Sequence, residues 1–153
     1  MLLIVALMAL AACGGEAATT APAATTAPAT GGGTTGGAAA ALNFDSGQAA
    51  ENIYVPATAE ATAGQVTVTF NNVSAQPHNW TLVKVGEEET ASTEALKDPT
   101  NYSYAGAIAQ TKLLQAGAGK DTVTFTAQPG TYSYICTFPG HYTLGMKGTL
   151  TVK

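Results

Sequence analysis

Histidine, cysteine and methionine are scarce in this chain, with two His, two Cys and three Met among 153 residues. Charge is scarce too, at 10% of residues, and Lys and Arg form no cluster anywhere. With a formal net charge of -4, that absence excludes a general nucleic-acid binder, which needs a basic face against phosphates. No apolar run reaches the ~20 residues that a membrane-spanning helix requires. Two cysteines far apart are too few for a disulfide scaffold. Internal repeats are absent. What is plentiful is apolar surface, at 46% of residues, which sets the chain apart from disordered acidic proteins.

The composition changes twice along the chain. Residues 2–12 are uninterruptedly apolar and end in small residues, the pattern of a signal-peptide core, although no Lys or Arg precedes them. Leu10-Ala11-Ala12-Cys13 resembles a bacterial lipobox, in which the signal is cut before the cysteine and its thiol is lipidated. An ordinary cleaved signal, with Cys13 incidental, is the other reading. Residues 14–41 hold only Ala, Thr, Gly, Pro and one Glu. Such a segment cannot bury enough apolar surface to offset its ordering entropy, and it reads as a tether with a reach of roughly 30 Å. The expected organisation is therefore a signal over 1–12, a lipidated Cys13 and tether over 13–41, and a folded domain over 42–153. With that organisation the protein is expected outside the cytoplasm, on the periplasmic face of the cell membrane, as a lipid-anchored monomer.

Within the domain, Gln65-Val66-Thr67-Val68-Thr69-Phe70 alternates strictly, which puts Val66, Val68 and Phe70 on one face of a strand. Residues 120–126 alternate as well, with Val123 and Phe125 inward. Thr131-Tyr132-Ser133-Tyr134-Ile135-Cys136 follows a Gln128-Pro129-Gly130 turn, which predicts a hairpin between the two segments. Residues 52–55, 79–85 and 148–152 are further strand candidates. Only residues 90–96 look helical, with Ser92 or Thr93 as cap. Glu87-Glu88-Glu89 is the one charge run and reads as a solvated loop tip, with a docking surface for a basic partner as the alternative. Short strands with regular turn signals imply an all-β sandwich with one short helical segment.

The rare residues of the domain converge. Cys136, His141 and Met146 lie in one stretch, Cys136-Thr137-Phe138-Pro139-Gly140-His141-Tyr142-Thr143-Leu144-Gly145-Met146, and His78 is the only other histidine. Taken singly, a lone Cys or Met is more often core filler than ligand. Together, two imidazoles, one thiolate and one thioether make the ligand set of a blue-copper site, with no spare copies in the domain. The spacing suits that set. A strand ends at Cys136, the Pro139-Gly140 turn brings His141 back, and Gly145 lets the chain bend so that Met146 approaches axially. His78 must then come from a separate strand.

These motifs also carry a resemblance. His78-Asn79-Trp80, Cys136-Thr137-Phe138-Pro139-Gly140-His141 and Met146-Lys147-Gly148-Thr149-Leu150 closely resemble azurin-like blue copper proteins of the cupredoxin family, with the auracyanins of filamentous anoxygenic phototrophs the nearest group. The resemblance covers the whole folded part. It implies a Greek-key β-sandwich that carries one copper ion and passes single electrons without being an enzyme. The expected donor is a quinol-oxidising membrane complex, and the acceptor a cytochrome c or a reaction centre. It further implies that the Asn79 side chain ties the two ligand loops together. Phe138, Pro139 and Leu144 would form an apolar collar over the metal, and the Pro77 carbonyl can approach from the side opposite Met146. The outer ring edge of His141 is expected at the apolar surface around Pro139 and Leu144. Two departures from azurin stand out: four residues rather than three separate His141 from Met146, and Cys136 has no disulfide partner.

Other classes fit less well. A multicopper enzyme needs more than two histidines. A Cys136–His141 hydrolase lacks an evident orienting Asp or Asn and leaves Met146 unexplained. Zinc accepts His and Cys, but a thioether is a poor zinc ligand. A copper carrier or storage protein is the strongest rival, although carriers favour exposed Met- or Cys-rich motifs.

Overall fold

The computed structural model describes residues 39–48 and 51–153, which form two packed sheets. The expectations placed on the signal, Cys13 and most of the tether lie outside the described residues. The first sheet contains β1 (Ala40–Ser46), β2 (Tyr54–Val55), β4 (Gly64–Asn72) and β7 (Gly119–Ala127), in the order β2-β1-β4-β7. The second contains β3 (Thr58–Ala61), β5 (Thr81–Lys84), β6 (Ala109–Gln110), β8 (Gly130–Ile135) and β9 (Lys147–Val152), in the order β3-β9-β8-β5-β6. β1–β4 and β3–β9 are parallel pairs, whereas β4–β7, β5–β8 and β8–β9 are antiparallel. This is the all-β sandwich that the strand spacing predicts. β1 takes in Ala40 and Ala41, which composition had assigned to the tether, because they pair with Val66 and Thr67.

The core lies between the sheets. Val66, Val68 and Phe70 are fully buried on one face of β4, as their alternation requires, and they share a core with Leu82, Tyr134 and Leu150 from the other sheet and with Trp80 just ahead of β5. Aromatic rings fill the centre. Phe44 and Tyr134 lie 4.8 Å apart, Trp80 and Tyr134 5.8 Å, and Tyr54 and Tyr134 5.2 Å between centroids. Each such pair adds about 0.5–1.5 kcal/mol beyond the area it buries. The result is a rigid platform immediately beneath the segments that carry His78 and Cys136.

Three local expectations are corrected. The segments on either side of Gln128-Pro129 do not form a hairpin: β7 pairs with β4 in one sheet, and β8 with β5 and β9 in the other. A turn signal is local, and whether the chain folds back in plane or crosses the sandwich depends on which sheet buries the next strand. The helix α1 (Glu88–Glu94), continued by a 3-10 turn over Ala95–Lys97, begins before Ser92 and Thr93 and is not capped by them. Its first turn is acidic, which suits the partial positive charge there. The Glu88 carboxylate accepts from the Gly86 N–H at 2.8 Å and from the Ser133 hydroxyl, so the charge run starts a helix rather than tipping a loop.

Candidate metal centre

β8 ends at Ile135, directly before Cys136, and β9 begins at Lys147, directly after Met146. Residues 136–146 are therefore the connection between two paired strands. The Cys136 N–H donates to the Met146 carbonyl at 3.2 Å, and the Met146 N–H to the His141 carbonyl at 2.9 Å, so the loop is cross-braced where it leaves the sheet. Gly140 and Gly145 sit at φ of 83° and 102°, a region that L side chains enter at a cost, which explains glycine at both bends. His78 arrives separately, two residues before Trp80, and exchanges two backbone hydrogen bonds with Leu114 at 3.0 and 2.9 Å.

The three donors meet. His78 and His141 turn Nδ1 inward, 3.0 Å from each other and 3.8 and 3.6 Å from the Cys136 sulfur. A point equidistant from all three lies about 2.0 Å from each, the length of a metal–imidazole bond. All three side chains are buried, at 0%, 4% and 0% exposure for His78, His141 and Cys136. Met146 is buried beside them, its backbone tied to both Cys136 and His141.

The electrostatics suit a cation. Burial pushes the Cys136 thiol up to about 12, opposed by the backbone N–H groups of Asn79 and Phe138 that point at its sulfur. Burial, assisted by His141, holds His78 down to about 4, and burial lowers His141 as well. Without a metal the pocket is therefore neutral, because a low-dielectric site penalises every charged form. A thiolate there requires a positive ion to offset it. Soft sulfur and two neutral imidazoles in a trigonal set match copper.

The groups around the donors are arranged less uniformly than expected. Asn79 bridges the two ligand segments: its Nδ2 donates to Thr137 Oγ1 at 2.7 Å, and its Oδ1 accepts from the Thr137 N–H at 2.9 Å. Phe138 packs against His141 with its ring tilted by 48°, the ring centroids 4.7 Å apart. The other expected collar residues point outward, since Pro139 is exposed and Leu144 is 68% exposed. Pro77 is half-buried and leads directly into His78. The outer edge of His141 is not open, contrary to expectation, because its Nε2 lies 3.1 Å from Gln76 Oε1. His78 Nε2 likewise meets Ser74 Oγ at 3.0 Å. Sequence reasoning missed Ser74 and Gln76. The signal was the alternate polar residues Asn72, Ser74 and Gln76 just ahead of His78, too short a pattern to interpret without knowing what it faces.

Comparison with known proteins agrees with this geometry. The model of copper binding proteins of the plastocyanin/azurin family matches residues 39–153. Auracyanin-A of Chloroflexus aurantiacus is 48% identical over 103 residues, covering 60% of this chain and 61% of that protein. Auracyanin-B of the same organism is 44% identical over 92 residues, covering 56% of this chain and 39% of that protein. The chain thus spans less than two thirds of either curated relative. A crystal structure of dithionite-reduced auracyanin from the photosynthetic bacterium Roseiflexus castenholzii superposes with a TM-score of 0.69 at 40% identity, over 76% of this chain and 99% of that one. The buried cluster of His78, Cys136 and His141 lies within the matched span, and this chain belongs to the plastocyanin/azurin family of copper-binding proteins.

Proposed function

We propose that the protein is a one-electron carrier built on a type 1 blue copper site, in which His78, Cys136 and His141 would hold the ion and the Met146 thioether would be a weaker fourth ligand. The observation that carries this reading is the buried triangle of three donors, sized for one metal ion. Copper bound there would supply one-electron Cu(I)/Cu(II) chemistry. The protein's part is rigidity. The β8–β9 connection is braced at its base, the Asn79–Thr137 bridge locks it to the His78 segment, and burial excludes water. The ligands therefore have little freedom to rearrange between oxidation states.

The wider setting belongs to the same proposal. A lipidated Cys13 and the tether after it would hold the domain at the periplasmic face of a membrane. There it would dock transiently with a quinol-oxidising complex as donor and a cytochrome c or reaction centre as acceptor. Its support is the lipobox-like Leu10-Ala11-Ala12-Cys13, the low-complexity segment that follows, and the likeness to auracyanins.

A visible spectrum of the copper-loaded protein tests the core of the reading. The oxidised form should show an intense thiolate-to-copper band, lose it reversibly on reduction and retain the metal throughout; Cys136→Ser should abolish the band. A colourless oxidised protein that binds only Cu(I) would mark a copper carrier instead. Mass spectrometry of the mature N-terminus tests the anchor, and an unmodified terminus beyond Cys13 would end that part.

A further inference from the structure

Residues 73–77, the loop between β4 and His78, grip both imidazoles from outside. Ser74 Oγ lies 3.0 Å from His78 Nε2, and two residues later Gln76 Oε1 lies 3.1 Å from His141 Nε2. In both rings Nδ1 is the inward atom, so the tautomer able to hold a metal keeps its proton on Nε2 and donates it outward. The loop is itself built. Asn72 Nδ2 donates to the carbonyls of Gln76 at 2.8 Å and of Leu114 and Gln115 at 2.9 Å each. The Ser74 N–H donates to Ser46 Oγ and to Asn72 Oδ1, both at 3.1 Å, and the Gln76 N–H donates to Ser74 Oγ at 3.0 Å. The Gln76 carbonyl is thus pinned on the backbone while its side chain reaches across to a residue 65 positions away.

We propose that Gln76 is a positioning residue of the metal centre, acting through His141. Its carboxamide oxygen accepts the Nε2 proton, which holds the ring in the metal-binding tautomer and orientation and makes Nδ1 the better donor. It also closes the outer edge of a ring that is only 4% exposed, so an approaching redox partner meets the Gln76 carboxamide at that edge. The inference about potential rests on the proposed copper site; the inference about the tautomer does not.

The test separates the two. In the metal-free protein the His141 Nε2 proton should give a resolved, slowly exchanging NMR signal. Gln76→Leu should lose that signal, whereas Gln76→Glu, which retains an acceptor, should keep it. In the copper-loaded protein Q76L should raise the reduction potential and weaken Cu(II) binding about 10-fold while the visible band persists. Q76E should lower the potential. A Q76L protein with the protected proton and the wild-type potential would overturn the assignment, as would a Q76E protein that behaves like Q76L. If copper does not bind at all, the proposed function falls, and the imidazole proton in the metal-free protein still decides the role of Gln76.

Discussion

Asn79 and Thr137 are 58 residues apart in the chain and hold each other by two hydrogen bonds of 2.7 and 2.9 Å. Asn79 follows His78 and Thr137 follows Cys136, so this pair joins the two segments that supply the metal centre. The Thr137 hydroxyl passes the connection on by donating to the Tyr102 carbonyl at 2.6 Å.

Asn79→Ala should therefore loosen the centre as well as the fold. Thr137 and Asn79 are fully or almost fully buried, and each polar group left unpaired costs about 1–3 kcal/mol. Chemical denaturation of the metal-free variant should show that loss, and the copper-loaded variant should bind metal more weakly. Wild-type stability in both states would mean that the bridge is incidental.

Met146→Leu isolates the thioether. The swap nearly conserves volume at a buried position, so the stability cost should stay below about 1.5 kcal/mol. With Met146 as axial ligand, its loss should raise the reduction potential and leave the blue band, because the axial donor tunes the metal and the thiolate gives the colour. An unchanged potential would remove Met146 from the ligand set.

Acid should destabilise the metal-free protein through His78. Burial and the nearby His141 hold this group down to about 4 against an ordinary 6.5. Between those values the unfolded chain takes up a proton that the folded site refuses. The contribution is thus complete above pH 6.5 and lost as pH falls through about 4, a swing on the order of 3 kcal/mol. Thermal unfolding of wild type against His78→Asn across that window should show a steeper acid slope in the wild type. Parallel slopes would contradict the assignment.

Gly148 faces Tyr134 across β8 and β9, and a Cβ placed there would lie 2.2 Å from the Tyr134 ring. The ring has nowhere to retreat: it packs against Phe44 and Trp80, and its hydroxyl donates to the Pro56 carbonyl at 2.9 Å. Gly148→Ala should cost about 1–3 kcal/mol in denaturant titrations. A variant as stable as wild type would show that this part of the core gives way more easily than its packing implies.

The sequence by itself singled out the proposed ligands and determined much of the framework. His78, Cys136, His141 and Met146 stand out because metal chemistry admits few side-chain types and this domain holds no spare copies of them. The inward face of β4 was legible because Val66, Val68 and Phe70 repeat at the period of a strand. Only the tertiary structure decided which sheet β8 joins, where α1 starts, and what stands outside the two imidazoles. Sheet membership follows from burial against distant strands rather than from the Pro129-Gly130 turn. At the helix start Glu88 accepts from the hydroxyl of Ser133, 45 residues away. Gln76 and His141 meet only because the loop pinned by Asn72 lies over the β8–β9 connection, and a hydrogen bond across 65 residues leaves no periodic trace in the chain.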